Sequence, residues 1–168
     1  PFYKFGDAIY LAKIETKYWI EYICKRFENT GKHISPELAE EICRLVDNHS
    51  SYVQQLSWLL WIRTINTATT EQLSYALEDL LDQNNILFQS ETENLSAYQM
   101  NFLKAIVDGI HTKFSSKEVI SKYNLGTSAN IVRLKNALLQ KELIETNGKE
   151  IVLADPVFGV WFKKEMLY

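Results

Sequence analysis

The dipeptide Asn147-Gly148, set between Leu143-Ile144-Glu145-Thr146 and Glu150-Ile151-Val152-Leu153, restricts the fold more than any other feature of the chain. Asn-Gly tolerates the positive φ angles of a two-residue turn whose twist matches that of its flanking strands. The two runs are therefore expected to form an antiparallel hairpin. What precedes them is helical and clearly punctuated. Ser96 and Gln99 form a capping box that opens a helix with Phe102, Leu103, Ile106 and Val107 on its inner face, ending near Gly109. Ser115 and Glu118 form a second box, opening a short helix with Val119, Ile120 and Tyr123. The turn Asn124-Leu125-Gly126 supplies a residue able to take positive φ, and Thr127 or Ser128 then caps a third helix with Ile131, Leu134 and Leu138 inward. Three helices, a tight turn between the second and third, then a hairpin: this is the order of a winged helix-turn-helix, expected over residues 95–168. After the hairpin, Asp155-Pro156 caps a terminal helix whose Val157, Phe158, Val160, Trp161 and Phe162 need an apolar partner. Docking back onto the helices upstream would supply one.

The upstream part reads as a small helical bundle. From Thr16 the apolar spacing is helical, with Tyr18, Trp19, Tyr22, Ile23 and Phe27 on one face and Gly31 as a stop. Ser35 and Pro36 suit the cap and first position of a second helix with the stripe Leu38, Ala39, Ile42, Leu45 and Val46. His49, Ser50 and Ser51 interrupt that pattern. A third helix, about residues 52–65, carries Val53, Leu56, Leu59 and Leu60, and with Trp58, Trp61 and Ile62 it is apolar nearly all round, so it needs cover on several sides. A fourth starts at Thr69 with a capping box to Gln72, and its stripe of Leu73, Ala76, Leu77, Leu80 and Leu81 runs on towards Leu87. The polar residues 89–94 are expected to be a linker. The expected fold is thus mainly α: a four-helix bundle over residues 16–90, then a winged helix-turn-helix with a small β-hairpin wing and a C-terminal helix. Before the bundle, residues 2–14 look like a loop entering a short strand with no partner strand nearby; Phe2, Tyr3, Phe5, Ile9 and Tyr10 read as the severed edge of another domain.

Charge divides along the same line. Residues 1–95 carry 8 Lys+Arg against 14 Asp+Glu, whereas residues 96–168 carry 10 against 7. Only the second part can present a nucleic-acid surface, and its excess is modest. Cys24 and Cys43 fall in helical apolar patterns without a C-x-x-C, which reads as two reduced, packed thiols. The longest apolar run, residues 58–62, is far short of the roughly 20 residues that cross a bilayer. With no signal-peptide pattern, a cytoplasmic protein that does not engage membranes is expected.

Catalytic motifs are wanting. A phosphate-binding loop needs G-x-x-x-x-G-K-[ST] so that successive backbone N–H groups converge on phosphate. Gly31-Lys32 is followed by His33 and has Arg26 in the place of the first glycine; Gly148-Lys149 is followed by Glu150 and has Leu143 there. Both are turns. His33, His49 and His111 lack metal-ligand spacing, no serine sits in a G-x-S-x-G elbow, and the pairs Glu40/Glu41 and Glu78/Asp79 lie on solvated helix faces. No catalytic residue, metal site or resident cofactor is assigned to this chain.

The third helix of the winged unit is where such folds read DNA. At about 100° per residue, with Ile131, Leu134 and Leu138 inward, the outward face is Ala129, Arg133, Asn136 and Gln140. Arg133 and Asn136 suit guanine and adenine edges, with Ser128 at the helix start, Lys135 at the flank and Lys149 on the wing. One charge is few for phosphate contacts, so a protein-packing module is the first expectation and DNA the alternative.

Several strings together resemble the C-terminal half of the archaeal-type ATPases, a group of AAA+ proteins close to the signal-transducing STAND NTPases. They are residues 1–7, Pro-Phe-Tyr-Lys-Phe-Gly-Asp; Asn48-His49 with Tyr52-Val53-Gln54-Gln55-Leu56; Gln99 with Asn101-Phe102-Leu103-Lys104-Ala105; Leu125-Gly126-Thr127-Ser128; residues 138–144; and Asp155-Pro156 with Phe158 and Trp161. The resemblance implies that a separate N-terminal domain carries the P-loop, the Walker B acid and the sensor residue, binding ATP and Mg. Residues 1–15 would be the tail of that domain and the helical bundle its lid. In such relatives the segment opening the third lid helix approaches the nucleotide, usually with a proline after the histidine. Here Ser50 takes that place and no arginine stands by as a second sensor, leaving Asn48, His49 and Tyr52 as the nucleotide-facing candidates. The implied function is a regulatory or coupling region of an ATPase, whose partners are its own ATPase domain and a protein held by the winged helix. The alternative is a DNA-binding transcription regulator.

Overall fold

The computed structural model describes residues 12–167. The strand expected within residues 2–14, and the aromatic edge from Phe2 to Tyr10, fall almost wholly outside them; residues 12–15 have no regular structure. The chain separates into two compact units, Pro1–Ser74 and Tyr75–Tyr168, with the division inside one helix.

In the first unit, α1 (Thr16–Glu28) buries Trp19, Ile23 and Phe27 and ends where Gly31 takes φ +73°, allowing Lys32 to donate its N–H back to Phe27 O at 3.1 Å. In α2 (Pro36–Leu45), Ser35 Oγ accepts the Leu38 N–H at 3.2 Å, a cap that contributes about 1 kcal/mol. Its inner face is Leu38, Ala39, Ile42 and Cys43. The break before α3 (Ser50–Arg63) comes earlier than the sequence suggests: His49 is its N-cap and Ser50 and Ser51 are helical. The chain turns at Asp47 and Asn48, both left-handed at φ +48° and +54°, a conformation that Asp and Asn tolerate better than most residues. The fold of this unit is closed by a short parallel bridge: His33 N–H donates to Asn66 O at 2.7 Å and Ala68 N–H to His33 O at 2.8 Å.

α4 (Thr70–Glu93) opens with the expected box, Thr69 Oγ1 accepting from Gln72 N and Gln72 Oε1 from Thr69 N. It then runs five residues into the stretch expected to be a linker. Polar side chains do not end a helix when one face is held: Phe88 and Thr92 are buried, and Thr92 Oγ1 returns its hydrogen bond to Phe88 O and Gln89 O. Only Asn94 and Leu95 separate α4 from Ser96, the N-cap of the next helix.

The second unit is a winged helix. α5 (Ala97–Val107) has the complete Ser96/Gln99 capping box. α6 (Lys117–Tyr123) is capped by Ser116 rather than Ser115, with Ser116 Oγ accepting from Val119 N. Asn124 at φ +49° and Gly126 at φ +83° form the turn into α7 (Ser128–Gln140), whose N-cap Thr127 is extended and makes no side-chain cap bond. The wing pairs β1 (Ile144–Asn147) with β2 (Glu150–Leu153), Asn147 opposite Glu150. The connecting residues are therefore Gly148 and Lys149, one place later than Asn147-Gly148, with the glycine supplying the positive φ of +60° at the first turn position. Beside the hairpin, the His111 carbonyl accepts the Ile151 N–H at 2.9 Å.

α8 (Pro156–Leu167) starts on Asp155, whose Oδ1 accepts from Val157 N and Phe158 N. The partner its aromatics require is the C-terminal half of α4: Phe88 meets Phe158 edge-on at 5.4 Å and Trp161 at 5.6 Å. Phe102 stacks on Phe114 at 4.4 Å across the same core, which also takes Leu103, Leu125, Leu138 and Phe162.

Candidate functional site

Two sets of side chains are singled out by the sequence, one in each unit. In the first, the double left-handed turn sets Asn48 against the start of α1. Its Nδ2 donates to Thr16 Oγ1 at 3.0 Å and its Oδ1 accepts from that hydroxyl at 3.2 Å, while neighbouring Asp47 pairs with Lys13 at 2.6 Å. The Asn48 amide is thus engaged in holding the chain that enters α1. His49 is exposed at the α3 N-terminus, its ring tilted over Tyr52 with centroids 4.8 Å apart. So His49 and Tyr52 are brought together, and Asn48 lines a shallow cleft of about 420 Å³ with Thr16. That cleft is lined by Glu37, Glu40, Glu41 and Asp47 against the single cation Arg44, and Arg44 is itself committed to Glu41 at 2.5 Å. The guanidinium beside it holds the Glu41 carboxyl below its usual range, and backbone and Ser35 hydrogen bonds do the same for Glu37, so the wall is anionic. Such a wall repels polyphosphate. Among the described residues no group of three or more His, Cys, Asp or Glu side chains is arranged to hold a metal ion.

In the second unit, the face of α7 lies as its period requires: Ile131, Leu134 and Leu138 are buried, and Ala129, Arg133, Asn136 and Gln140 are exposed. Ser128 is exposed at the first turn and Lys149 at the wing tip. Two details of this face are not visible in the spacing. Arg133 folds back along its own helix, Nη2 donating to Asn130 Oδ1 at 2.8 Å, and Asn130 Nδ2 in turn donates to Leu125 O at 3.0 Å. Val132, next to Arg133, is 63% exposed, which puts an apolar side chain on the outward surface. The wing adds exposed Glu145 and Glu150 around Lys149. This surface can dock a mixed polar and apolar partner more readily than a phosphate backbone.

A third feature, in the first unit, is not visible in the spacing. α3 is not covered all round: Trp58 is 57% and Ile62 52% exposed, and Trp58 and Trp61 line a hollow of about 370 Å³ with Tyr22 and Arg26 of α1. The signal available was the excess apolarity of α3; which α1 residues it meets is a long-range fact.

Comparison with known proteins agrees with the geometry of the second unit. Residues 86–164 match the family described as "Probable winged helix domain", a span that begins inside α4 as the compact unit does. Over 90% of its length the chain superposes on a solved structure, the Walker-type ATPase PABY2304 of Pyrococcus abyssi, with a TM-score of 0.66 and 18% sequence identity. It spans 42% of that protein's length. No curated protein matches the sequence. The winged helix is therefore established, the fold is shared with an ATPase, and both findings support the resemblance to the C-terminal winged-helix region of archaeal ATPases. Among the described residues no helix is long and apolar enough to cross a membrane.

Proposed function

We propose that this chain is the lid and winged-helix region of an AAA+/STAND-type ATPase and serves as a regulatory or coupling element, with ATP and Mg bound by a P-loop domain that these residues do not contain. The observation that carries the reading is the fold likeness to a Walker-type ATPase through both compact units and not the winged helix alone. The anionic cleft beside Asn48 favours nucleotide chemistry performed elsewhere, and the sequence carries no P-loop motif. Of the nucleotide-facing candidates, His49 is exposed with half-buried Tyr52 against its ring, and Asn48 fixes the turn that leads into them. Calorimetric titration of Mg-ATP into the chain should give no appreciable heat; micromolar affinity would refute this division of labour.

A DNA-binding regulator is the second reading, favoured by the simultaneous exposure of Ser128, Arg133, Asn136 and Lys149. It requires binding to duplex DNA that weakens with salt and on Arg133→Ala. The back-folded guanidinium and the wing carboxylates count against it.

A further inference from the structure

The exposed apolar side chains of the first unit are not scattered. On α1, Tyr18, Tyr22 and Arg26 follow at intervals of four, with Ile14 two residues ahead of the helix; on α3, Trp58, Trp61 and Ile62 follow at three and four. Ile14, Tyr18, Tyr22, Trp58 and Ile62 are all more than two-fifths exposed. Spacing of this kind puts each set along one stripe of its helix. Ile14, Tyr18, Tyr22 and Arg26 on one side and Trp58 and Trp61 on the other line a common groove made of two adjoining hollows, of about 370 and 380 Å³, that share Tyr22 and Gln54. From Tyr18 to Phe27 of α1 the groove is about 14 Å long at about 1.5 Å per residue, the length of two and a half helical turns.

Its walls are set in place before anything binds. Trp61 donates its indole N–H to Thr30 Oγ1 at 2.8 Å, and the Lys32 ammonium lies 3.9 Å from the centre of the Trp61 ring while donating to Trp61 O at 2.6 Å. Arg26 is held over the Tyr22 ring at 5.3 Å, with Nε donating to Tyr22 Oη at 3.2 Å. Its two Nη groups make no hydrogen bond or ion pair among the described residues. Among the described residues no carboxylate lines either hollow, and Arg26 is the one charged lining residue.

We propose that this groove is the docking site for an acidic amphipathic helix of a partner protein. The partner's apolar anchors would enter the hollows between Tyr22 and the two tryptophans, and a carboxylate on its flank would accept from the open Arg26 fork. Charge argues against the other occupants. A two-fold pairing of copies through the groove sets its unpaired Arg26 cations against each other with no carboxylate in the lining to answer them. A nucleic acid would find a single open guanidinium where several phosphate contacts are needed.

The test titrates the chain into two fluorescein-labelled peptides of about 14 residues, near the length at which a helix holds in isolation. Both carry leucines at helical spacing, one with glutamates on the flanks and the other with lysines in their place. The acidic peptide should bind at least about tenfold more tightly, a difference of about 1.4 kcal/mol. Arg26→Glu should abolish or reverse that preference. Trp58→Ala should weaken acidic-peptide binding by about tenfold or more, as truncating a central tryptophan anchor does, without altering the thermal melt, because the side chain is largely exposed. Equal affinity for the two peptides, no binding at millimolar concentration, or indifference to Trp58→Ala would each overturn the proposal. A dimer in sedimentation that Trp58→Ala dissolves would assign the groove to a second copy and overturn it as well.

Discussion

The indole N–H of Trp161 in α8 donates to Oδ1 of Asn85 in α4 at 2.8 Å, across 76 residues of sequence. Trp161 is 1% exposed, so the N–H has no access to water if its acceptor is lost. An unpaired buried donor costs roughly 1–3 kcal/mol. Asn85→Leu should therefore lower the unfolding free energy of the chain by that order in urea titrations, and the solvent-facing control Gln83→Ala should stay within about 0.5 kcal/mol of the parent. A loss no larger at position 85 than at position 83 would show that this bond does not anchor α8.

Gly126 is required by conformation and by space together. Its φ of +83° is left-handed, and a Cβ there would stand 3.2 Å from Asn130 Nδ2, the group that donates to Leu125 O. The left-handed conformation alone costs a side-chain-bearing residue about 1–2 kcal/mol. Gly148, at φ +60° with nothing within 4 Å of its Cβ position, bears only that first cost. Gly126→Ala should destabilise more than Gly148→Ala, and it should also shift the amide resonances of Leu125 and Asn130. Equal melting temperatures for the two variants would remove the Asn130 contact from the account.

These relationships show where the sequence was informative. Local devices were legible because their partners lie within one turn: Ser35 to Leu38, Thr69 to Gln72 and Ser96 to Gln99 are all bonded as their spacing requires. The winged order and the outward set of α7 followed from periodicity for the same reason. No linker forms where one is expected over residues 89–94, because polar side chains do not end a helix whose other face is buried through Phe88 and Thr92. The cap at Ser116 and the turn at Gly148-Lys149 were each missed by one place, since Ser115 and Asn147 offer the same chemistry next door. At the sites, the pairing of Arg133 with Asn130 depends on rotamers that spacing does not fix. The union of Tyr22, Arg26, Trp58 and Trp61 in one groove depends on how α1 meets α3, which no local pattern records.

The two cysteines should differ sharply in reactivity. Cys43 is fully buried, and burial pushes its thiol up to about 11. At pH 8 only about one molecule in a thousand then carries the reactive thiolate, and no reagent reaches it in the folded state. Cys24 is half-buried with Sγ 3.8 Å from Ile34 O, its thiol raised by burial and then by Glu28. Iodoacetamide at pH 8 should modify Cys24 slowly and Cys43 only after denaturation, as read by peptide mass spectrometry. Modification of Cys43 at the rate of Cys24 in native buffer would contradict the packing of α2.

Glu91 gives the clearest pH signature. Burial, and then the nearby Asp155 carboxylate, raise its pKa above the ordinary value of 4.5. The folded state therefore holds this proton more tightly than the unfolded state. Below about pH 4.5 the group is protonated in both states and its contribution is fully present; as pH rises through the folded pKa, the unfolded chain has ionised first and that stability is lost. Glu91→Gln removes the ionisation and keeps the shape. The variant should melt near the parent at pH 4 and above it at pH 7, and because every other titrating group is common to both proteins, the widening gap isolates Glu91. Asp155→Asn should narrow that gap by removing the neighbouring charge, although it weakens the cap on Val157 and Phe158 and so lowers both melts. A gap between Glu91→Gln and parent that is the same at pH 4 and pH 7 would mean that the carboxyl is solvated in the folded protein.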